Sequence, residues 1–274
     1  MTSALALTLL LIAPAPSEGI VWERGFDGAM AQARETEKPV MVFFRANWCG
    51  WCHRLDRTTF VDPVVVAMAK DFVTVRIDTE AGRREAEIME TYEVHSVPTI
   101  LFLSPRGRQV RRVPFQGPGQ FPRTMDQTLE AARRVMAWEE ALERDASDPS
   151  ALFALGQHMF DQECFQQSHD LLARAAASDR WRPTDERRHT RLLLAILQNV
   201  QRQYAEAETV IKEALSLDPR APDQPKLLFI LGRTYLSWGL QAKGVETMQV
   251  IVREHPQSPM AQKARETLVV LERK

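Results

Sequence analysis

The chain has 274 residues, is 45% hydrophobic and carries 35 Lys and Arg against 36 Asp and Glu. This length favours two domains, and the ordinary apolar content excludes a disordered chain. A net charge of -1 excludes the strongly basic balance of nucleic-acid-binding proteins, so no nucleic-acid partner is expected.

The N-terminus begins with a short apolar run, residues 4–13, followed by small residues and prolines. A membrane-spanning helix needs roughly 20 apolar residues, so no stable membrane insertion is expected. The run is typical of a signal peptide over residues 1–17, although the usual positive charges are missing. A buried N-terminal strand or helix is the alternative. We predict export to the periplasm or another extracytoplasmic compartment, where disulfides persist.

Residues 18–124 show helical and strand patterns that alternate along the chain. The order is helix, strand, helix, strand, helix, strand, strand and helix, and the last two strands form a hairpin that turns at residues 105–107. The run "VMVFFRA" is continuously apolar, which is typical of a strand buried on both faces. Alternating strands and helices predict an α/β fold, with a mainly parallel central sheet and an antiparallel edge hairpin.

The stretch "NWCGWCH", residues 47–53, directly follows the first predicted strand. A Cys-x-x-Cys pair is typical of a redox dithiol, whereas Cys-x-x-Cys-His also attaches c-type haem. Haem would need His53 as an iron ligand and a helical wrapping, which the strand–helix pattern disfavours. A zinc site would need four ligands, and two cysteines with one histidine do not supply them. The dithiol is therefore favoured, with no metal and no cofactor.

Four segments together carry a family resemblance: "KPVMVFFRANWCGWCHRLD", "TFVDPVVV", "VTVRID" and "YEVHSVPTILFLSPRG". Residues 20–118 resemble the thioredoxin-like superfamily, and within it the exported branch that includes the C-terminal domain of the DsbD family. The resemblance implies a thiol–disulfide oxidoreductase with a redox-active Cys49–Cys52 disulfide. It also implies that Pro98 is cis and packs beside the cysteines.

The residues around the pair have expected roles. Cys49 is predicted at a helix N-terminus, which favours the thiolate, so Cys49 is the candidate nucleophile and Cys52 the resolving thiol. Gly50 is expected to allow close backbone approach between them. The candidate substrate-binding residues are Trp48 and Trp51, which would offer an apolar surface, and Val97 beside Pro98, which would pair with substrate in β fashion.

Two positions depart from the family pattern. Where its best-known members have a buried carboxylate, this chain has Phe43, and the position of the partner lysine falls at Thr74. Asp56, one turn beyond Cys52, is an auxiliary candidate, with an ordinary solvated helix charge as the alternative. His53 is a second auxiliary candidate that could raise Cys49 reactivity when protonated.

Other features give weaker expectations. Trp51 between the cysteines leaves the direction of electron flow open, and a reductase or exchange role is favoured over a strong oxidant. The third cysteine, Cys164, is expected to be buried on a helical stretch. Basic runs such as Arg187, Arg188 and Arg191 are expected on solvated faces.

Residues 125–149 are predicted as a connecting helix and linker, and residues 150–274 as an all-α helical repeat with a capping helix. The repeats align on pairs of small residues: Gly156 and Ser168, Ala195 and Ala207, and Gly232 and Gly244. Pro219 and Pro256 close the second and third repeats. The pattern resembles the tetratricopeptide repeat, which implies a short solenoid with a concave face.

Two functions from different classes fit these observations. One is an enzyme that exchanges protein disulfides, with an unidentified redox partner, and whose repeats bind a protein or peptide on the concave face. The alternative is a scaffold that uses both folds only for docking.

Overall fold

The computed structural model describes residues 19–180 and 184–272, so the predicted signal peptide lies outside the described residues. The chain divides into two compact units after Arg134. This division falls inside a long helix, α5 (Phe121–Arg144), that begins near the predicted domain limit at residue 124. The predicted domain limits themselves stay predictions.

The first unit has the predicted order of elements. These are α1 (Phe26–Thr36), β1 (Val40–Arg45), α2 (Gly50–Arg57), α3 (Pro63–Ala69), β2 (Val73–Asp78), α4 (Arg83–Thr91), β3 (Thr99–Leu103), β4 (Gln109–Val113) and the start of α5. Its four strands form one mixed sheet in the order β2-β1-β3-β4. The predicted α/β class with a mixed sheet is therefore confirmed.

The expectation of a mainly parallel sheet is wrong. Only the β1–β2 pair of the four-stranded sheet is parallel, whereas β1–β3 and β3–β4 are antiparallel. The helices of the β1–β2 crossover carry the chain back to the starting edge, as a parallel connection requires. The segment between α4 and β3 gives no sequence signal for the direction of β3, since a loop of this kind can precede either a parallel or an antiparallel strand.

These directions bring four chain segments to one edge of the sheet. Arg45 pairs with Asp78 at the ends of β1 and β2, and Phe44 pairs with Thr99 at the start of β3. Val113, the last residue of β4, pairs with Ile100. The loops after β1, β2 and β4 and the segment before β3 therefore meet at this edge.

Both faces of the sheet are covered, which explains the unbroken apolar run of β1. Val40, Val42 and Phe44 pack in a core with residues of α1 and α4. On the opposite face the Phe43 ring lies 4.9 Å from the Phe60 ring, and Phe60 contacts Phe121 of α5. Since side chains alternate between faces along a strand, such a strand must be apolar at every position.

The second unit is entirely helical in its described residues. After the end of α5 it contains α6 (Pro149–Asp161), α7 (Phe165–Ala176), α8 (Thr184–Val200), α9 (Tyr204–Leu217), α10 (Gln224–Ser237), α11 (Gln241–Glu254) and α12 (Pro259–Glu272). Consecutive helices pair as α6/α7, α8/α9 and α10/α11, and the first helix of each pair contacts the first helix of the next. The all-α prediction is confirmed, and membership of the tetratricopeptide family stays a prediction.

The aligned small residues lie where paired helices cross closely. A Cβ atom added to Gly156 would lie 2.9 Å from the Leu172 side chain, and one added to Gly244 would lie 2.5 Å from Leu236. Ser168 fits because its hydroxyl donates to the Gly156 carbonyl oxygen at 2.8 Å. The small residues of the repeat pattern therefore mark positions where the paired helices cross closely and large side chains would not fit.

Arg188 and Arg191 are not on a solvated face, contrary to the expectation. Arg188 is 1% exposed, and its guanidinium pairs with Asp223 at 2.7 Å. It also donates to the carbonyl oxygens of Ala214 and Asp218 at 2.6 and 2.8 Å, which lie at the end of α9. The Arg188 guanidinium can be buried because its N–H groups donate to a carboxylate and to carbonyl oxygens at a helix end, which have no partner within their own helix.

Candidate active site

Cys49 and Cys52 lie at the start of α2, directly after the sharp turn that follows β1. They are joined by a disulfide, with Cα atoms 5.2 Å apart. Cys49 is the N-cap residue, and its Sγ accepts a hydrogen bond from the Cys52 backbone N–H at 3.1 Å. Cys49 is 4% exposed and Cys52 is 0% exposed, so what solvent access remains is at Cys49.

The segment before β3 lies beside this turn. The Val97–Pro98 peptide bond is cis. Because the β1–β3 ladder ends at Phe44 and Thr99, Val97 and Pro98 continue next to the residues that lead from β1 to the cysteines. Within residues 19–180 and 184–272, the backbone N–H and carbonyl of Val97 have no hydrogen-bond partner. This leaves a short backbone edge open at the site.

Trp48 precedes the nucleophile candidate and is 72% exposed. Its indole Nε1 donates to Glu80 Oε1 at 3.2 Å. The neighbouring Asn47 side chain donates to Asp78 Oδ2 at 3.3 Å. The loop after β2 therefore orients Trp48, because β1 and β2 end at the same edge.

Trp51 follows the nucleophile candidate and is 55% exposed. Its ring lies 4.9 Å from Phe115, in the loop after β4. The Arg54 guanidinium lies over both rings, 5.4 Å from the Trp51 centroid and 5.9 Å from the Phe115 centroid. The loop is held by Thr59, whose hydroxyl donates to the Gln116 carbonyl oxygen at 2.9 Å.

The expectation that Gly50 allows close backbone approach between the cysteines stays a prediction. A Cβ atom added there would meet no atom within 4 Å outside its own helical turn, and the residue does not have a positive φ. A side chain at this position would therefore extend into open space. His53 is half-buried, and its Nε2 donates to the Asn47 carbonyl oxygen at 2.8 Å, so it ties the turn to α2.

Asp56 is not an ordinary solvated charge. Its carboxylate lies 3.0 Å from Arg76 and 3.8 Å from Arg45, and it is largely shielded from solvent. Burial lowers the pKa of Arg76, and Asp56 opposes that effect. In the strand register Arg76 lies opposite Phe43, and Thr74 lies opposite Met41.

Cys164 also differs from the expectation. It is the N-cap residue of α7 and is half-buried, whereas burial inside a helix was expected. No group of three or more potential ligands among His, Cys, Asp and Glu could hold a metal within the described residues. No helix of the described part of the chain is long and apolar enough to cross a membrane.

Four residues at the site were missed by sequence reasoning: Arg54, Glu80, Phe115 and Arg76. Glu80 had a signal, because the loops after parallel neighbouring strands meet at one edge. Arg54 also had a weak signal, since it lies three residues beyond Trp51 on a predicted helix. Phe115 lies sixty-odd residues from Trp51 in the chain, and only the strand directions bring them together.

The part of the chain that contains the site matches a known protein family. Residues 21–105 match the family model described as thioredoxin-like. These residues are a thioredoxin-like domain. The match includes both cysteines, the cis proline and the strands β1 to β3, whereas the helical unit lies outside it.

The relatives of the thioredoxin-like domain include a thiol:disulfide interchange protein, a thioredoxin and an oxidoreductase. The thiol:disulfide interchange protein DsbD of Vibrio vulnificus is 35% identical over 89 residues, which are 32% of this chain and 15% of that protein. The thioredoxin H-type of Oryza sativa subsp. indica is 36% identical over 81 residues, 28% of this chain and 59% of that protein. A solved DsbH oxidoreductase aligns with a TM-score of 0.40 and 19% identity, over 46% of this chain and 95% of that one. The chain thus spans about 15% of the length of its DsbD relative.

Proposed function

We propose that this chain is a thiol–disulfide oxidoreductase that acts on protein disulfides. The observation that carries the proposal is the Cys49–Cys52 disulfide across the first turn of α2, with the Cys52 N–H directed at Cys49 Sγ. The same N–H and the helix dipole stabilise a thiolate when the pair is reduced. The names of the DsbD relatives support this chemistry.

The reaction uses only the chain's own two sulfurs. The Cys49 thiolate attacks one sulfur of a substrate disulfide, a mixed disulfide forms, and the other substrate sulfur leaves as a thiolate that takes up a proton. Cys52 then loses its proton and attacks Cys49 Sγ, which releases the second substrate thiol. The substrate has gained two electrons, and the chain is left with the Cys49–Cys52 disulfide. A redox partner must reduce it again.

The surroundings suit a polypeptide substrate. Trp48 and Trp51 flank Cys49 in the chain and have exposed aromatic surface, and the space beside Gly50 is open. The open backbone edge at Val97 can pair with an extended segment in β fashion. Asp56 is not a free base for Cys52, because Arg45 and Arg76 already hold its carboxylate.

The two cysteine roles are tested by trapping. Cys52→Ser removes the resolving thiol, so it should accumulate mixed disulfides with substrate proteins, whereas Cys49→Ser should not. Extracts are resolved on non-reducing gels, with and without dithiothreitol. Equal trapping by both variants, or faster alkylation of Cys52 in the reduced protein, would show that the roles are wrongly assigned.

For the helical unit we propose recruitment of a protein or peptide partner. The support is a groove of about 700 Å³ beside the first helices of two pairs, with Phe153, His189 and Leu192 among its lining residues. The alternative is a scaffold without catalysis, which an intact dithiol beside a cis proline disfavours.

A fragment of the chain tests recruitment by the helical unit. A fragment ending at Asp148 should keep dithiol activity on a small disulfide and lose affinity for the native partner. Equal rates of fragment and full chain on that partner would contradict recruitment.

We also propose that the chain acts outside the cytoplasm. The support is the apolar run of residues 4–13, which is typical of a signal peptide. Fractionation of cells that express the full chain, with the mass of the processed protein, tests this location. An unprocessed protein found only in the cytoplasm would contradict it.

A further inference from the structure

Arg54 is held beside the dithiol in a manner that leaves its hydrogen-bond donors available. The side chain is exposed, and its guanidinium stacks over Trp51 and Phe115. Within residues 19–180 and 184–272, no carboxylate forms an ion pair with it. Stacking uses the flat face of the guanidinium, so the in-plane N–H groups remain free for a carboxylate. Arg54 is thus a preoriented cation with an open position for an anion.

Glu80 is the counterpart on the other side of the reactive sulfur. It is exposed, and one carboxylate oxygen accepts the hydrogen bond from the Trp48 indole. Across the described residues no Lys, Arg or His forms an ion pair with it. The hydrogen bond fixes this carboxylate beside the exposed ring. Each of the two flanking tryptophans therefore contacts one charged side chain. The charge is positive at Trp51 and negative at Trp48.

We infer that Arg54 and Glu80 are specificity-determining residues, which select a substrate segment with opposite charges on the two sides of the attacked cysteine. This inference rests on the proposed function, because it concerns the protein substrate of the same dithiol. Arg54 would bind a carboxylate on the Trp51 side, and Glu80 would bind an amino or guanidinium group on the Trp48 side. The charges would orient the segment before the sulfurs meet.

The positions of the substrate charges follow from helix and strand dimensions. Arg54 is five residues beyond Cys49, which is roughly 7.5 Å along the helix axis at about 1.5 Å per residue. Two residues of an extended segment span about 6.6 Å. Side chains two apart also point to the same face of a strand. A carboxylate two positions from the substrate cysteine therefore spans about the distance to Arg54, and we place the charge for Glu80 two positions away on the other side.

Two peptides of identical composition test this preference. One contains Lys-Ala-Cys-Ala-Glu and the other Glu-Ala-Cys-Ala-Lys, with neutral capped ends and the cysteine as a mixed disulfide with pyridine-2-thiol. Cys49 of the pre-reduced full chain attacks the peptide sulfur and displaces pyridine-2-thiol, whose absorbance is followed. Cys52 then releases the peptide thiol, so a single turnover needs no added reductant. The readout is the ratio of the two rates, which a uniform change in activity does not move.

The wild-type chain should prefer one peptide by about fivefold, as expected for two exposed charge contacts. The preferred peptide reports the direction in which the segment runs. The double variant Arg54→Glu with Glu80→Lys should reverse the preference, and the single variants Arg54→Gln and Glu80→Gln should each reduce it. Arg57→Glu is the matched control, an equal charge change one turn further along α2, and should keep the wild-type ratio. In about 1 M salt the ratio should approach one, since the screening length falls to about 3 Å.

The outcomes separate the inference from the function on which it rests. If the wild-type chain reacts with both peptides at equal rates, or if the ratio survives the double charge reversal, the inference is overturned and the oxidoreductase proposal stands. If the reduced wild-type chain reacts with neither peptide, the proposed function fails and takes the inference with it. Should the double variant lose its circular dichroism spectrum, the two neutral single variants decide, and an unchanged ratio in both overturns the inference.

Discussion

The same substitution, glycine to alanine, should have opposite effects at two helical positions of this chain. Gly28 lies in α1 and Gly244 in α11, and a Cβ atom at Gly28 would meet no atom within 4 Å. At Gly244 it would lie 2.5 Å from Leu236 Cδ2 and 3.2 Å from the backbone oxygen of Gly232. Gly232→Ala is an intermediate case, because its nearest neighbour at 2.8 Å is the terminal methyl of Met248.

The free energies of unfolding follow from two opposing effects. Alanine in place of glycine stabilises a helix by about 0.5–1 kcal/mol, because glycine loses more backbone entropy on folding. Overpacking destabilises a folded core by about 1–3 kcal/mol, and the upper part of that range applies when the backbone must move. Gly28→Ala should therefore stabilise α1 by about 0.5 kcal/mol, and Gly244→Ala should destabilise the α10/α11 pair by about 1–2 kcal/mol. Gly232→Ala should be nearly neutral, since a methionine end moves easily.

Hydrogen–deuterium exchange with mass spectrometry measures these effects in the full chain. Peptides from α1, α10 and α11 report the free energy of local opening for each unit separately, which a single unfolding curve would merge. Equal, slightly stabilising effects at Gly28 and Gly244 would refute the reasoning. That result would mean that α10 and α11 do not cross at backbone contact, and that the repeated small residues have another cause.

Three further predictions concern buried and titrating groups. Arg188→Met should lower the stability of the helical unit by about 3 kcal/mol in urea unfolding, because Asp223 and the Ala214 carbonyl oxygen lose their partner; Arg253→Met, at an exposed pair, should cost less than about 0.5 kcal/mol. Burial lowers the pKa of His189 below its ordinary 6.5, so the unfolded chain binds the proton more readily. Stability should therefore fall as the pH drops below about 6.5, and His189→Gln should abolish that slope. The purified protein should show no Soret absorbance even from cells that mature cytochromes c, and a covalent haem adduct in the mass spectrum would contradict the dithiol interpretation.

Local signals in the sequence predicted most of the elements. β1 is recognisable because both of its faces are covered, so every position from Val40 to Phe44 must be apolar. Cys49 was placed at a helix start because the cysteine pair directly follows the first predicted strand and the residues from His53 onward have a helical pattern. The repeat of Gly156, Gly232 and Gly244 was visible because close helix crossings exclude larger side chains. Each of these signals can be recognised from residues near one another in the chain.

The partners of buried charged side chains could not be predicted from the sequence. Asp56 and Arg188 look like ordinary charges on helices, because their neighbours in sequence give no sign of what faces them. Asp56 meets Arg76 from β2, and Arg188 meets Asp223 from α10. A charge is buried only where another element supplies its counter-ion. That information is in the tertiary fold and not in a local pattern.

The direction of β3 is the single feature that most affects the site. If β3 ran parallel to β1, it would begin at the far edge of the sheet, and Val97 and Pro98 would lie away from the cysteines. The hairpin would then also end at the far edge, and Phe115 could not contact Trp51. A mainly parallel sheet is therefore incompatible with a cis proline beside the dithiol, although both were expected from the same sequence. Of the two, the expected position of Pro98 already required an antiparallel β3, since the start of β3 reaches the end of β1 in no other direction.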